Sequence, residues 1–195
     1  MIYNDVFFGT TAANLISINS NELHARLGKG FDLSCDAFDE YITKYNEKAI
    51  YRYSYVKLSY TEVGGMCNFE GVSVKSSALA KVLSDSKEVI LLAVTSGIEV
   101  DRLIAKYTHQ NPQFAFIIDA IASAGIESYA DYITNEITRG INVTNRFSPG
   151  YADFPLYFQT YILERLSANK NIGIMLSKDL LMIPTKSITA VIGIK

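Results

Sequence analysis

An α+β architecture, one domain with a mostly antiparallel or mixed twisted sheet and flanking helices, follows from three features of the 195-residue chain. The run Ile50–Val63 is dense in Tyr, Val and Leu, the residue types that suit a pleated surface. Glu88–Thr95 and Ile188–Ile194 are short and almost wholly apolar, as buried strands are. One long helical period, Phe114 to about Thr138, stands between them, and strands and helices do not alternate as they do in βαβ units.

The elements are justified in order. Asn19 or Ser20 caps a helix over Asn21–Leu27 that Gly28 stops. Ser34 opens a second helix running to about Lys48. After the strand Ile50–Val63, Gly64-Gly65 makes a turn and Gly71–Val74 a short strand. Ser76 or Ser77 caps a helix through Leu83. Beyond the strand Glu88–Thr95, Gly97 leads into a helix with Ile98, Val100, Leu103 and Ile104 on its apolar side. The long helix follows Pro112 and ends at Gly140. Ile141–Val143 reads as a strand, and Pro155 suits the first position of a helix over Leu156–Ala168, where its missing N–H is not needed. Ile172–Leu176 and Ile188–Ile194 are the last strands. The domain spans 1–195, with 1–50 a candidate N-terminal helical appendage, since periodicity assigns only short helices there.

Composition removes several function classes. With 49% hydrophobic and 19% charged residues the chain can build a core and is not of disordered type. A net charge of −2 gives no excess of Lys and Arg for a nucleic-acid backbone. Two cysteines, Cys35 and Cys67, and two histidines, His24 and His109, are too few for a zinc site or a disulfide framework. The cysteines read as inert small hydrophobes, His24 as a helix-face residue and His109 as a helix C-terminal cation. The longest aliphatic run, Val89–Val94, is far short of the ~20 residues of a membrane span, and no leader pattern opens the chain. A cytoplasmic location is expected.

The stretch Arg146–Pro155 is the strongest candidate for function. It sets a permanent cation beside a Pro149-Gly150 turn and an exposed-prone Tyr151. Proline presets φ, and Gly150 lets a backbone bend sharply or approach a ligand. Arg146 can then hold an anionic group, or serve as an ordinary surface ion-pair partner. Tyr151 can meet a ligand or pack at the loop edge, and Asp153 suits a turn or helix start. On the long helix, Ala120, Ala124, Glu127 and Asp131 share one face. That face is either solvated or a small-residue groove ending in carboxylates, fit for an ammonium or sulfonium.

Arg146-x-x-x-Gly150-Tyr151 resembles the Arg-x-x-x-Gly-Tyr motif of the activation domain of cobalamin-dependent methionine synthase. The longer string Arg146-Phe-Ser-Pro-Gly-Tyr-x-Asp153-Phe-Pro155-x-x-x-Gln159 is more similar still to stand-alone relatives of that domain. Met182-Ile-Pro184-Thr-Lys-Ser187 resembles the family's Met-x-Pro-x-x-Ser segment. Glu127-Ser-Tyr-Ala-Asp131-Tyr132 resembles its Glu-x-x-x-acid-Tyr helix, and Ala93-Val-Thr95-x-Gly97 its strand-to-helix turn. The likeness runs from about residue 55 to the end, and more weakly over Ile16–Gly28.

The resemblance implies an S-adenosylmethionine-binding reactivation subunit in methionine biosynthesis, supporting reductive methylation of cob(II)alamin. Cobalamin is then carried by the partner, a corrinoid-binding methionine synthase subunit, and a flavodoxin-like donor supplies the electron. Arg146 is implied as the clamp on the methionine carboxylate and Glu127 as the partner of the α-ammonium. Ser148 and Gly150 are implied as backbone contacts, and Tyr151 sits where ligand and corrin meet. No side chain is implied as acid, base or nucleophile. Departures are that Asp153-Phe154-Pro155 replaces a Cys-Pro-Asp-His run and that the family's N-terminal ligand-binding Asp has no counterpart. The family's domain also extends past the strand that ends near Lys195, so weak binding, or binding completed by a partner chain, is expected. The alternative is a docking or scaffold module for a corrinoid methyltransferase that does not bind S-adenosylmethionine. A third reading keeps the site and changes only the corrinoid partner to one from another pathway.

Overall fold

The structure, a computed structural model, describes residues 5–195. Strand β1 (Phe7–Ala12) comes first, then a 3-10 turn at Ala13–Leu15 and helices α1 (Ser20–Leu27) and α2 (Asp36–Asn46). Strands β2 (Ile50–Val63), β3 (Met66–Phe69) and β4 (Val72–Lys75) form a meander that ends in helix α3 (Ser77–Val82). Strand β5 (Glu88–Thr95) leads to α4 (Ile98–Gln110) and α5 (Pro112–Ile137). A strap of some twenty residues then reaches α6 (Phe158–Arg165) and α7 (Ala168–Ile172). A small hairpin, β6 (Met175–Leu176) and β7 (Met182–Ile183), precedes β8 (Ser187–Ile194).

The fold is α+β, and every strand pair is antiparallel. The main sheet runs β4-β3-β2-β5-β8. β2 is long enough to seat two neighbours on one edge: β1 along its first half (Phe7↔Tyr55) and β3 along its second (Tyr60↔Phe69). Because strand side chains alternate, the sheet has two apolar faces. Tyr51, Ile90, Leu92, Val94 and Ile192 pack under α5, with α1, α2 and α4 around it. Val56, Leu58, Leu91, Ala93 and Val191 pack under α3, α6 and α7. Covering on both faces explains why β5 is apolar from Val89 to Val94. Within residues 5–50, β1 extends the sheet, and Leu23, Phe38 and Tyr45 enter the core under α5.

β2 and β5 have the expected limits, and Asn19, Ser76 and Asn111 cap α1, α3 and α5 with their side chains. Several expectations are corrected. Ser34 does not open α2, because its N–H and hydroxyl both bind Asp32; Cys35 stands at the cap. Strands β1 and β3 were not foreseen. The expected strand Ile141–Val143 is only an isolated bridge, Val143↔Ile194, because the hydroxyl of Thr144 takes the Gly193 N–H in place of a carbonyl. The expected helix Leu156–Ala168 begins two residues late, after three i→i+3 turns from Pro155, Leu156 and Tyr157. It then breaks at Ser167, whose φ is +48°. Ile172 ends α7 rather than opening a strand, so β6 is confined to Met175–Leu176. Among the described residues no helix is long and apolar enough to cross a membrane, and no group of His, Cys, Asp and Glu could hold a metal ion.

Candidate functional site

β8 is an edge strand, and the strap between α5 and α6 runs beside only part of it. Phe147 and Val191 exchange both backbone bonds at 2.9 Å, the Thr144 N–H reaches Gly193 O at 2.9 Å, and the Lys195 N–H reaches Asn142 O at 2.9 Å. Approach this close needs a residue without a side chain at 193. A Cβ there would stand 3.0 Å from both Leu83 Cδ2 and Thr144 Cγ2, and would also meet Ser86 Oγ. After Phe147 the strap turns away from β8, and the strand edge at Ser187–Thr189 is left facing a cavity.

The turn is built by Ser148–Pro155. Gly150 sits at φ +92°, a conformation that side chains resist, and its N–H is held by Phe154 O at 2.8 Å. Phe154 is buried and lies between Phe147 (6.0 Å) and Phe158 (5.1 Å), so the strap is pinned from within. Asp153 pins it from without. Its carboxylate accepts from Ser76 Oγ (2.6 Å), the Ser77 N–H (2.7 Å) and the Ala78 N–H (3.1 Å), and so caps α3 from 77 residues away. The Ser76 hydroxyl first, then those two N–H groups, hold this carboxyl below the usual aspartate range.

Across the cavity, α5 offers a row at i, i+4 spacing: Asp119, Ser123, Glu127 and Asp131. Lys186, just before β8, bonds Asp119 (2.7 Å) and Ser123 (2.8 Å). Arg146, on the strap, bonds Glu127 through Nη2 at 3.2 Å and Asp131 through Nη1 at 2.7 Å. The expected small-residue groove is therefore corrected: Ala120 and Ala124 are buried in the core, and the exposed row runs through Asp119 and Ser123 instead. The carboxylates of that row are ion-paired, not merely solvated.

The cavity holds about 360 Å³ and gathers Glu127, Arg146, Ser148 and Tyr151 at one place. Gly150 does not line it; the bend that Gly150 permits does. Leu156, Gln159, Met182, Ile188 and Thr189 complete the wall without having been assigned a role from sequence. A signal was available for one of them: Ser187 and Thr189 interrupt an otherwise apolar final strand. A larger cavity, about 610 Å³, lies between α6, α7 and β6 and holds none of the expected residues.

Chemically, the site pairs a cation and an anion 3.2 Å apart at the wall of a partly apolar cleft. An aromatic side chain, Tyr151, stands exposed at the mouth. Such a pair complements a zwitterion, whose own charges sit side by side in the opposite order.

No family model matches this sequence, and no curated protein sequence matches it. A solved structure of the MetH reactivation domain bound to AdoHcy does align with it in three dimensions. The alignment covers 97% of this chain and 78% of that one, with a TM-score of 0.72 and 16% sequence identity. The chain has the fold of the MetH reactivation domain.

Proposed function

We propose that the cavity beside β8 binds S-adenosylmethionine and that the chain is the reactivation subunit of a cobalamin-dependent methionine synthase in the cytoplasm. It supports reductive methylation of cob(II)alamin held by a separate corrinoid-binding subunit, with a flavodoxin-like protein as electron donor. The observation that carries this reading is the Arg146–Glu127 pair, 3.2 Å apart in the cavity wall, on a fold shared with a domain solved with AdoHcy.

The pair suits an amino-acid end. Arg146 presents a planar fork to the α-carboxylate, and Glu127 accepts from the α-ammonium. Ser148 lines the cavity beside them, and Gly150 contributes through the bend it permits. Tyr151, Leu156, Tyr157 and Leu181 are exposed in the strap and in the hairpin loop near the mouth, an apolar surface that fits a partner closing over the ligand. When bound, the sulfonium supplies a transferable methyl group; this chain's residues orient its amino-acid end and help exclude water at the mouth.

The docking-module reading keeps one observation in its favour: both terminal nitrogens of Arg146 are already paired, so a ligand carboxylate must share or displace a partner. Isothermal titration calorimetry with S-adenosylmethionine, repeated on Arg146→Ala, separates the two. Absence of binding to the parent removes the proposed function, and unchanged affinity in the variant removes the clamp.

A further inference from the structure

The cavity has a second polar region that the charged clamp does not use. Gln159, at the start of α6, is only 3% exposed, yet its side chain makes one hydrogen bond, from Nε2 to Leu180 O. A carbonyl can only accept, so this bond fixes the amide orientation and leaves Oε1 as the other end. Among the described residues, Ser86 Oγ is the one enclosed side-chain polar atom without a partner. Gln159 Oε1 is therefore unbonded but not enclosed, and Gln159 lines the cavity.

Thr189 is in the same condition. It is 3% exposed, lines the cavity, and its hydroxyl makes no bond to a described residue. Its place in the ladder adds a second observation. Thr189 stands opposite Ala93, whose side chain belongs to the face covered by α6. Val191 turns both backbone groups toward the strap, so Thr189, two residues earlier, turns its own to the same edge, where no described group meets them. Glu127 lies on α5, over the opposite face. The cavity thus crosses the edge of β8, with charged groups on one side and neutral, unbonded polar groups on the other. Leu156, Met182 and Ile188 supply apolar wall beside them.

We propose that Gln159 Oε1, supported by Thr189, is the specificity-determining acceptor for a neutral N–H or O–H donor at the end of the ligand remote from its charged groups. This rests on the reading that the cavity takes S-adenosylmethionine. The nucleoside half of that ligand carries two kinds of such donor, an exocyclic amine and ribose hydroxyls. A nearly buried acceptor discriminates sharply, because a ligand that fills the site without a donor leaves it unmet.

The test is calorimetry on the parent, Gln159→Met and Gln159→Glu. The probes are S-adenosylhomocysteine, S-inosylhomocysteine, which lacks the exocyclic amine, and the 2′-deoxyadenosyl analogue. Gln159→Met is expected to lose roughly tenfold in affinity for S-adenosylhomocysteine. Gln159→Glu keeps an acceptor while losing the donor to Leu180, and is expected to stay within about threefold of the parent. The parent should lose roughly tenfold with one analogue, and that loss should vanish in Gln159→Met. The inosyl analogue assigns the amine, the deoxy analogue the hydroxyl. Equal losses in Gln159→Met and Gln159→Glu would show that Gln159 only ties the hairpin loop to α6, and would overturn the proposal. So would a Gln159→Met variant that binds as the parent does, or a parent that penalises neither analogue. A parent that binds none of the three probes overturns the proposed function as well, and so differs from a failure of this inference alone.

Discussion

The two carboxylates that hold Arg146 are expected to differ in use, and in the order opposite to their bond lengths. Asp131 makes the shorter contact, 2.7 Å to Nη1, but its side chain is 68% exposed. Glu127 makes a 3.2 Å contact to Nη2 at 39% exposure and lines the cavity, which Asp131 does not. The Arg146 side chain itself is 17% exposed. An ion pair with so exposed a partner is worth about 0.2–1 kcal/mol, since water and salt screen it. Asp131→Asn should therefore lower the melting temperature by no more than about 4 °C in a chain of this size. It also leaves Nη1 more available, so affinity for S-adenosylhomocysteine should hold or rise. Glu127→Gln removes the only carboxylate that the described residues place in the cavity wall. A lost charge-assisted hydrogen bond to the ligand ammonium is worth about 1.5–3 kcal/mol, or roughly 10–150-fold in affinity. Paired melting and calorimetry at low and physiological salt measure both quantities. If Asp131→Asn costs as much ligand affinity as Glu127→Gln, the cavity does not distinguish the two acids and the orientation assigned to the zwitterion is wrong.

Three further outcomes are expected. Gly193→Ala should destabilise by about 1–3 kcal/mol through overpacking against Leu83 and Thr144, and should weaken ligand binding because the strap carrying Arg146 is displaced; an unchanged melting curve would mean the strap does not lie this close. Asp153 has its carboxyl held below the usual range, so its anchoring of α3 is complete above about pH 4 and is lost as pH falls through the lowered value. The gap in melting temperature between parent and Asp153→Asn should accordingly be widest near neutrality and narrow as pH falls below the usual aspartate range, and a gap that does not narrow would remove the charge from the argument. Tyr151→Ala, at an exposed site, should leave stability within about 0.5 kcal/mol while impairing methyl transfer to a corrinoid partner; transfer at the parental rate would take Tyr151 out of the contact.

What was legible in the sequence follows from where burial writes a pattern. β2 and β5 could be bounded because one is packed along much of its length and the other is covered on both faces, so apolar content tracks their limits. β1 left no such trace: Phe7, Phe8, Thr10 and Ala12 are all exposed, and the half-covered face carries only Gly9 and Thr11, so the edge strand shows no apolar period. The break at Ser167 was equally invisible, since a left-handed serine has no local composition cue; the Leu166 carbonyl there is taken by Asn171 Nδ2 at 2.9 Å, a side chain five residues on that satisfies the helix end.

The site divides the same way. Arg146 and Glu127 could be nominated because a family string surrounds them, yet periodicity alone assigned the wrong neighbours on α5. A helix packed on several sides buries its alanines regardless of which stripe they share, so spacing identifies a face but not what covers it. The remaining wall of the cavity comes from α6, the hairpin and β8, and it exists only because the strap leaves the β8 edge after Phe147. That departure is set by the Gly150 bend and by Asp153 capping a helix 77 residues earlier, and neither distance is written in any window of sequence. The family string therefore marked Arg146 and ran on to Gln159 without giving Gln159 a role, while the meeting of Gln159 and Thr189 with Arg146 around one cavity is a product of topology and is read from the strand edge itself.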